Sequence, residues 1–352
     1  PAANKYLDFE KLDLQFFLPG AIIFKNQHQK IIGDPLKDVS LLYSTLFSGI
    51  GTLSDKLKVL KLNNKLKQKS LSEIFSDKEK TTISYLKDFG FSAKMINEFF
   101  MPFFSGIFLE SQLETSSRMF EFVYKMFGQA RAAIPKQGMV AIPNQLKQKL
   151  RKTTFLFETK VSSVKNKKII LADGTELLSD FTIIATESNN LVEELKKQPT
   201  EWRSCYNLYF ETDSKVNSKP LIGLIPYKEA LINNIFYNSS LKTNSKGQKD
   251  LLSVTVIDDQ NLSADQLVNQ VRNELKNYCG IDAGRMLKQY FTPKALPKLQ
   301  DLKHAVSPTA TLLKNNVFLA GDSMLNGSLN AAIISGESAA LGVVETWSKN
   351  IG

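Results

Sequence analysis

Three observations predict a mixed α/β fold, α+β in the way its elements interleave. A helical pattern runs from Asp34 to about Phe127. Short β-prone runs separated by turn residues follow from Thr154 onward. Near the end, residues 316–322 read as a buried strand feeding a helix that opens at Ser328. Because strands and helices alternate throughout, two discontinuous subdomains are expected rather than two consecutive ones.

The elements follow from local chemistry. Phe16-Phe17-Leu18-Pro19-Gly20 is a loop leading into a short buried strand, Ala21-Ile22-Ile23-Phe24. Asp34-Pro35-Leu36 opens a helix, with aspartate as cap and proline in the first turn. Ser72 precedes the apolar pair Ile74 and Phe75, and a helix from Thr82 to Asp88 stops at Gly90. Ser92 caps a helix over residues 93–100, and Pro102 marks the next break. Thr115-Ser116-Ser117 starts another, with an apolar stripe of Phe120, Phe122, Val123 and Phe127. The phenylalanines of residues 99–127 have two readings, core packing or an apolar wall around a large hydrophobic ligand, and a helical domain can supply both.

After Gly138 the texture changes. Ile142-Pro143-Asn144 enters an amphipathic helix to about Arg151. Strands are expected at 154–158, 161–164, 168–171 and 181–185, with Asp173-Gly174 as a hairpin turn. More follow at 206–211, 221–224, 232–237 and 251–256. Residues 239–250 form a polar, lysine-rich loop, the stretch least suited to order. Residues 265–278 make an amphipathic helix, and no internal repeat is present.

Composition narrows the function. The 352 residues are 43% hydrophobic and 23% charged, which suits a globular chain with a sizeable core. The formal charge is +10, but the lysines are scattered, as on solvated surfaces; an anionic membrane surface or acidic substrate is the alternative, and no nucleic-acid motif accompanies the charge. Cys205 and Cys279 lie far apart outside any CxxC pattern, so ordinary thiols of a reducing compartment are expected. With only His28 and His304, neither a histidine metal site nor a Ser-His-Asp triad has its residues, and no metal is expected. No run approaches the roughly 18–20 apolar residues that span a bilayer. Asp258-Asp259 reads as a solvated turn, and Glu110 with Glu114 as a surface pair.

The strongest chemical motif lies near the end. Val317-Phe318-Leu319-Ala320-Gly321-Asp322 is a strand ending in Gly-Asp, followed by a short loop and a helix beginning Ser328-Leu329-Asn330-Ala331-Ala332. Small residues in its first turn let a ligand approach the backbone, and unpaired amides there favour an anion or a ring gaining negative charge. Gly336 and the alanines suit close packing on a sheet. The competing reading is an ordinary strand–turn–helix.

This stretch resembles the C-terminal flavin-binding signature of FAD-dependent amine oxidases, protoporphyrinogen oxidases and carotenoid (phytoene) desaturases. A second block, Pro135-Lys136-Gln137-Gly138-Met139, is similar to the family's proline–Gly-Gly-Met segment, departing from it at Gln137. A third comprises residues 155–161, their hairpin and the strand to Ile184-Ala185-Thr186. The resemblance implies FAD as cofactor. Asp322 would hydrogen-bond the ribityl chain, with Gly321 allowing close approach. The amides of Leu329, Asn330 and Ala331 would face the flavin pyrimidine edge, Val161 would pair through its backbone with the adenine, and Ala185 would end a strand beside the dinucleotide. The implied fold is an FAD-binding sheet flanked by two layers, with a mixed-sheet plus helical substrate domain. Residues 135–199 and 301–352 would form the FAD-binding domain, 1–34 and 200–300 the substrate sheet, and 35–134 its helical part.

The family also opens with a strand, G-x-G-x-x-G, a helix and an acidic ribose-binding residue. Gly49-Ile50-Gly51 follows a helical pattern, lacks the third glycine and reads as loop. The resemblance therefore implies a chain that begins after that N-terminal Rossmann βαβ unit and binds FAD weakly unless a partner chain or fragment restores it.

The implied activity is dehydrogenation of a bulky, largely apolar substrate (polyene, porphyrinogen or amine) by hydride transfer to flavin, in the cytoplasm or at the membrane periphery. No catalytic acid or base is identified. Tyr206, Tyr209, Asn234 and Phe236 would border the site. The rival is a non-catalytic carrier of the Rab GDP-dissociation-inhibitor type, which shares the fold. A lysine-driven membrane-surface protein is a third reading.

Overall fold

The computed structural model describes residues 2–33, 38, 41, 48–242, 247–258 and 260–351. In chain order the strands are β1 (Leu14–Phe16), β2 (Gly20–Lys25), β3 (His28–Gly33), β4 (Ala133–Pro135), β5 (Val161–Lys165), β6 (Lys168–Leu171), β7 (Glu176–Leu178) and β8 (Thr182–Ile184). Then come β9 (Trp202–Thr212), β10 (Ile222–Leu224), β11 (Ile232–Tyr237), β12 (Asp250–Val256), β13 (Met286–Pro297), β14 (Leu312–Lys314) and β15 (Val317–Leu319). They divide between two compact units. One comprises Pro1–Asp8, Ile142–Trp202 and Pro297–Gly352, the other Phe9–Ala141 and Arg203–Leu296.

In the larger unit, capping chemistry sets the helices. Thr52 and Asp55 form a reciprocal capping box that starts the helix Leu53–Gln68, and Ser70 with Glu73 does the same for Leu71–Ser76. Thr81 caps Thr82–Asp88, and Gly90 follows it at φ +87°, the left-handed position that a stop requires. Ser116 caps Ser117–Gln129. The helix opening expected at Asp34-Pro35-Leu36 lies outside the described residues.

The chain does not break at Pro102. Residues Ile96–Phe100 wind as a π-turn in which the Met101 amide bonds to the Ile96 carbonyl, and Met101–Phe108 carries on with the proline in its first turn. A π-turn shifts the hydrogen-bond ladder by one residue, and at such a junction a proline without N–H is tolerated.

The helices pack on a seven-stranded sheet of order β13-β9-β12-β11-β10-β2-β3, in which β2 and β10 run parallel. The helix Ala264–Glu274 and the π-turn Leu275–Cys279 cover one face, where Leu208, Phe210, Leu252 and Val254 are buried. Ala21, Ile23 and Leu224 on the other face meet the helical core. Phe100, Phe104, Phe108 and Phe120 are at most 1% exposed there, with ring centroids 4.7 Å apart for Phe104 and Phe120, so the phenylalanine-rich segment is chiefly packed core. Cys279 is buried, which pushes its thiol up to about 12, and Cys205 is half-buried; both are free.

The smaller unit holds two three-stranded sheets, β14-β15-β8 and β5-β6-β7, beside the long helix Leu329–Ile351. Gly174 at φ +88° makes the expected turn between β6 and β7. Residues 154–158 do not form the expected strand. Phe155 and Phe157 stack on each other in the open, 66% of Phe157 being exposed, and Lys147 lies over both rings. Their alternation reflects this cation–π cover rather than a sheet face. Gly336 is not the close-packing glycine either, since a Cβ there would meet nothing within 4 Å. Gly342 is: its Cβ would lie 2.7 Å from the Pro308 carbonyl oxygen and 2.9 Å from the Phe318 ring.

Candidate functional site

In the smaller unit, β15 and β8 run parallel, Leu319 opposite Ile184, and the Ala320 amide donates to the Ile184 carbonyl at 2.9 Å. Ala185 and Ala320 are consequently the next pair, with Gly321 one residue beyond, just past the carboxyl ends of a parallel pair, where open α/β sheets bind ligands. Ala185 is exposed. Val161, on edge strand β5, packs with Leu191 against a cluster containing Ile184 and Val317, so the hairpin abuts the same strands.

Gly321 has φ +134° and ψ 162°, a conformation essentially reserved for glycine. The nearest atom to a Cβ built there is Ser323 Oγ at 3.8 Å, so the backbone lies open to a ligand. Behind it, Ser335 is fully buried; its hydroxyl accepts the Gly321 amide hydrogen at 2.9 Å and lies 2.9 Å from the Gly321 carbonyl, to which it donates. The Asp322 carbonyl accepts from Leu325 and Gly327 at 3.1 and 3.0 Å, closing the turn. Its carboxylate has no partner among the described residues.

The helix Leu329–Ile351 starts with Ser328 as cap: Ser328 Oγ accepts the Ala331 amide at 3.1 Å, and its carbonyl accepts from Ala332 at 3.0 Å. Among the described residues the Leu329 and Asn330 amides donate to nothing. The row of three free amides expected from sequence is therefore two, because Ser328 occupies that of Ala331, which is itself buried. Asn330 Oδ1 accepts the Ala3 amide at 3.3 Å, which ties the helix Ala2–Tyr6 to this end. An open glycine, a free carboxylate and two unspent amides fit a ligand with hydroxyl donors and an electron-rich polar edge, as FAD has.

In the larger unit, Tyr209, Asn234 and Phe236 share the sheet face that bears the helical core. Tyr206 does not, since it packs with the opposite cluster and stacks on Phe291 at 4.5 Å. A bulge between Ile232 and Asn234 distorts the β11 register. Asn233 Nδ2 donates to the Pro102 carbonyl at 3.1 Å, and Asn234 Nδ2 donates to Asn233 Oδ1 at 2.7 Å. Gly106 permits this, since a Cβ there would lie 2.3 Å from Asn233 Oδ1. Glu110 accepts the amides of Gln112 and Thr115 at 2.8 and 3.0 Å and so serves its own loop. Asp258 accepts the Gln260 amide at 3.0 Å, as a turn residue does; Asp259 lies outside the described residues. Sequence reading opened the helix at Ser328 without giving that serine the cap, and it missed Ser335 and Asn233. A serine before a small-residue helix start was the signal for the cap, and Ser335 and Asn233 had none.

Among the described residues no helix is long and apolar enough to cross a membrane. No curated protein matches the chain. Solved structures do. An oxidoreductase from Methanosarcina mazei is 13% identical with a TM-score of 0.69, covering 93% of this chain and 82% of that one. Putrescine oxidase bound to putrescine is 12% identical at 0.66, covering 98% and 85%. Cyclohexylamine oxidase from Brevibacterium oxydans is 12% identical at 0.65, covering 97% and 84%. At such identities the likeness is one of fold. Nothing in these matches supports the carrier alternative. The model of the flavin-containing amine oxidoreductases matches residues 9–344, and the chain belongs to that family of FAD-dependent oxidoreductases.

Proposed function

We propose that the protein dehydrogenates a largely apolar small molecule, with FAD held by the smaller unit and the substrate by the sheet and helices of the larger. The observation that carries the cofactor assignment is the pair of unspent amides at Leu329 and Asn330 beside Gly321 and Asp322, past the ends of β8 and β15. FAD, when bound, supplies the hydride acceptor. The two amides and the positive end of the helix favour negative charge developing on a ring edge placed there. Asp322 accepts from ribityl hydroxyls, Gly321 and Ala185 admit the ligand to the backbone, and the β5 backbone at Val161 takes the adenine. Phe236, Tyr209 and Phe17, whose ring lies 4.6 Å from that of Phe236, offer apolar surface to a polyene, porphyrinogen or apolar amine. A net charge of +10 suits transient contact with an anionic membrane surface, where such substrates partition.

Titration of the protein with FAD, followed by fluorescence quenching, tests the site. Asp322→Ala removes a charge-assisted hydrogen bond and should weaken binding by about tenfold or more. Unchanged affinity would move the ribityl chain elsewhere.

A further inference from the structure

The substrate-side sheet face carries a patch whose hydrogen-bonding polarity is fixed by its neighbours. Asn234 and Thr255 are directly opposed on β11 and β12. Asn234 gives its Nδ2 to Asn233 Oδ1, and Asn233 is pinned in turn by the Pro102 carbonyl, so the Asn234 amide cannot flip without losing a 2.7 Å bond. Its Oδ1 is left as a set acceptor, without a partner among the described residues. Thr255 Oγ1 accepts from Asn207 Nδ2 at 3.1 Å, which leaves the hydroxyl proton to donate. One acceptor and one donor therefore sit side by side, half-buried, with Phe236 and Tyr209 on the same face.

The charged side chains that β9 places on this face are engaged. Arg203 donates to the Phe108 carbonyl at 2.6 Å and to Thr115 Oγ1 at 2.8 Å. Glu211 is held by both arms of Arg285 at 3.1 Å. Lys288 lies over the Tyr290 ring at the sheet edge. An ammonium group brings donors only: it cannot accept from the Thr255 hydroxyl, and the oxygens it meets at Asn234 and Thr255 are neutral, so the desolvation of its charge would go uncompensated. A primary amide or an alcohol brings both a donor and an acceptor and satisfies both.

We propose that the Asn234–Thr255 pair selects substrates carrying an uncharged amide or hydroxyl group and discriminates against ammonium. This rests on the assignment of the larger unit to the substrate. It sets the protein apart in specificity from the putrescine and cyclohexylamine oxidases whose fold it shares.

The test is calorimetric titration of the full chain at pH 7 with benzamide, benzyl alcohol and benzylammonium, comparing native protein with Thr255→Val and Asn234→Asp. Benzamide and benzyl alcohol should bind the native protein, and benzylammonium about tenfold more weakly or worse. Thr255→Val, nearly the same shape, should weaken the amide by about tenfold. Asn234→Asp should reverse the order in favour of benzylammonium, and unchanged circular dichroism confirms that both variants fold. Equal or tighter binding of benzylammonium by native protein, no binding of either neutral probe, or an unchanged order in both variants overturns the proposal. FAD titration of the same samples keeps the two assignments apart. Lost FAD binding with the probe order intact fails the cofactor site alone, and the wrong probe order with FAD bound fails this inference alone.

Discussion

Ser335 Oγ accepts the Gly321 amide hydrogen at 2.9 Å, so the second turn of the long helix is fastened to the strand end that should carry the cofactor. This bond holds the helix start in place while leaving the first two amides of the helix unspent. Ser335→Ala leaves the Gly321 N–H without its partner, at a cost of about 1–3 kcal/mol. Chemical denaturation should show that loss together with weaker FAD binding. Native affinity at reduced stability would confine Ser335 to a structural role.

Asp55 should govern acid stability in the helical region. Its carboxylate is fully buried and accepts from Thr52 N, Thr52 Oγ1, Ser92 N and Ser92 Oγ at 2.6–2.8 Å, joining two helix starts. Burial alone would push its pKa up; the hydrogen bonds from Ser92 and Thr52 outweigh it and hold the group at about 2 instead of 3.8. A depressed acid stabilises the fold above its unfolded pKa and loses that contribution as pH falls. About 2 kcal/mol should therefore disappear between roughly pH 4 and pH 2. Asp55→Asn should be less stable at pH 7 and show a flatter acid limb in urea titrations; a limb of native steepness would assign the acid sensitivity to other groups.

Glu274 should control the β11 bulge. Its buried carboxylate accepts the Leu231 amide at 3.0 Å, the Ile232 amide at 3.0 Å and Gln270 Nε2 at 3.2 Å, at the point where the strand enters the irregularity before Asn234. Glu274→Gln sets an NH₂ among these donors and should cost about 2 kcal/mol. It should also lower affinity for the neutral probes by disturbing Asn233 and Asn234. Native probe affinity in a destabilised variant would separate the bulge from recognition.

Gly106→Ala tests the same architecture from the helix side. The added methyl collides with Asn233 Oδ1, and overpacking of this kind costs about 1–3 kcal/mol. Hydrogen exchange should rise in β11 and in Met101–Phe108, whereas Gly336→Ala, facing open space, should leave exchange unchanged.

The sequence exposed the elements whose signals are local. Thr82–Asp88 with its Gly90 stop, the Asp173-Gly174 hairpin and the Gly321-Asp322 strand end all declare themselves through caps, turn residues and a β-prone run. What stayed hidden depends on partners distant in the chain. Phe155 and Phe157 alternate like a strand, yet no strand among the described residues pairs with them. Pro102 looks like a stop because a π-turn has no sequence mark. Gly336 and Gly342 are indistinguishable until the helix is set against Phe318. Ser335 reads as one more small helical residue, and the Asn233–Asn234 device needs a bulge and a glycine more than a hundred residues earlier. Tyr206 and Tyr209, three apart on one strand, lie on opposite faces by the period of two, a rule that should have separated them from sequence alone.

The central claim, that the Gly321–Asp322 turn and the helix start at Leu329 form the flavin site, is most directly tested by FAD affinity. Native protein and Gly321→Val should be titrated side by side, with thermal unfolding as a second readout. Saturable binding with stabilisation in the native chain, weakened by tenfold or more in the variant, is the predicted result. FAD binding of equal strength in the two proteins would contradict it.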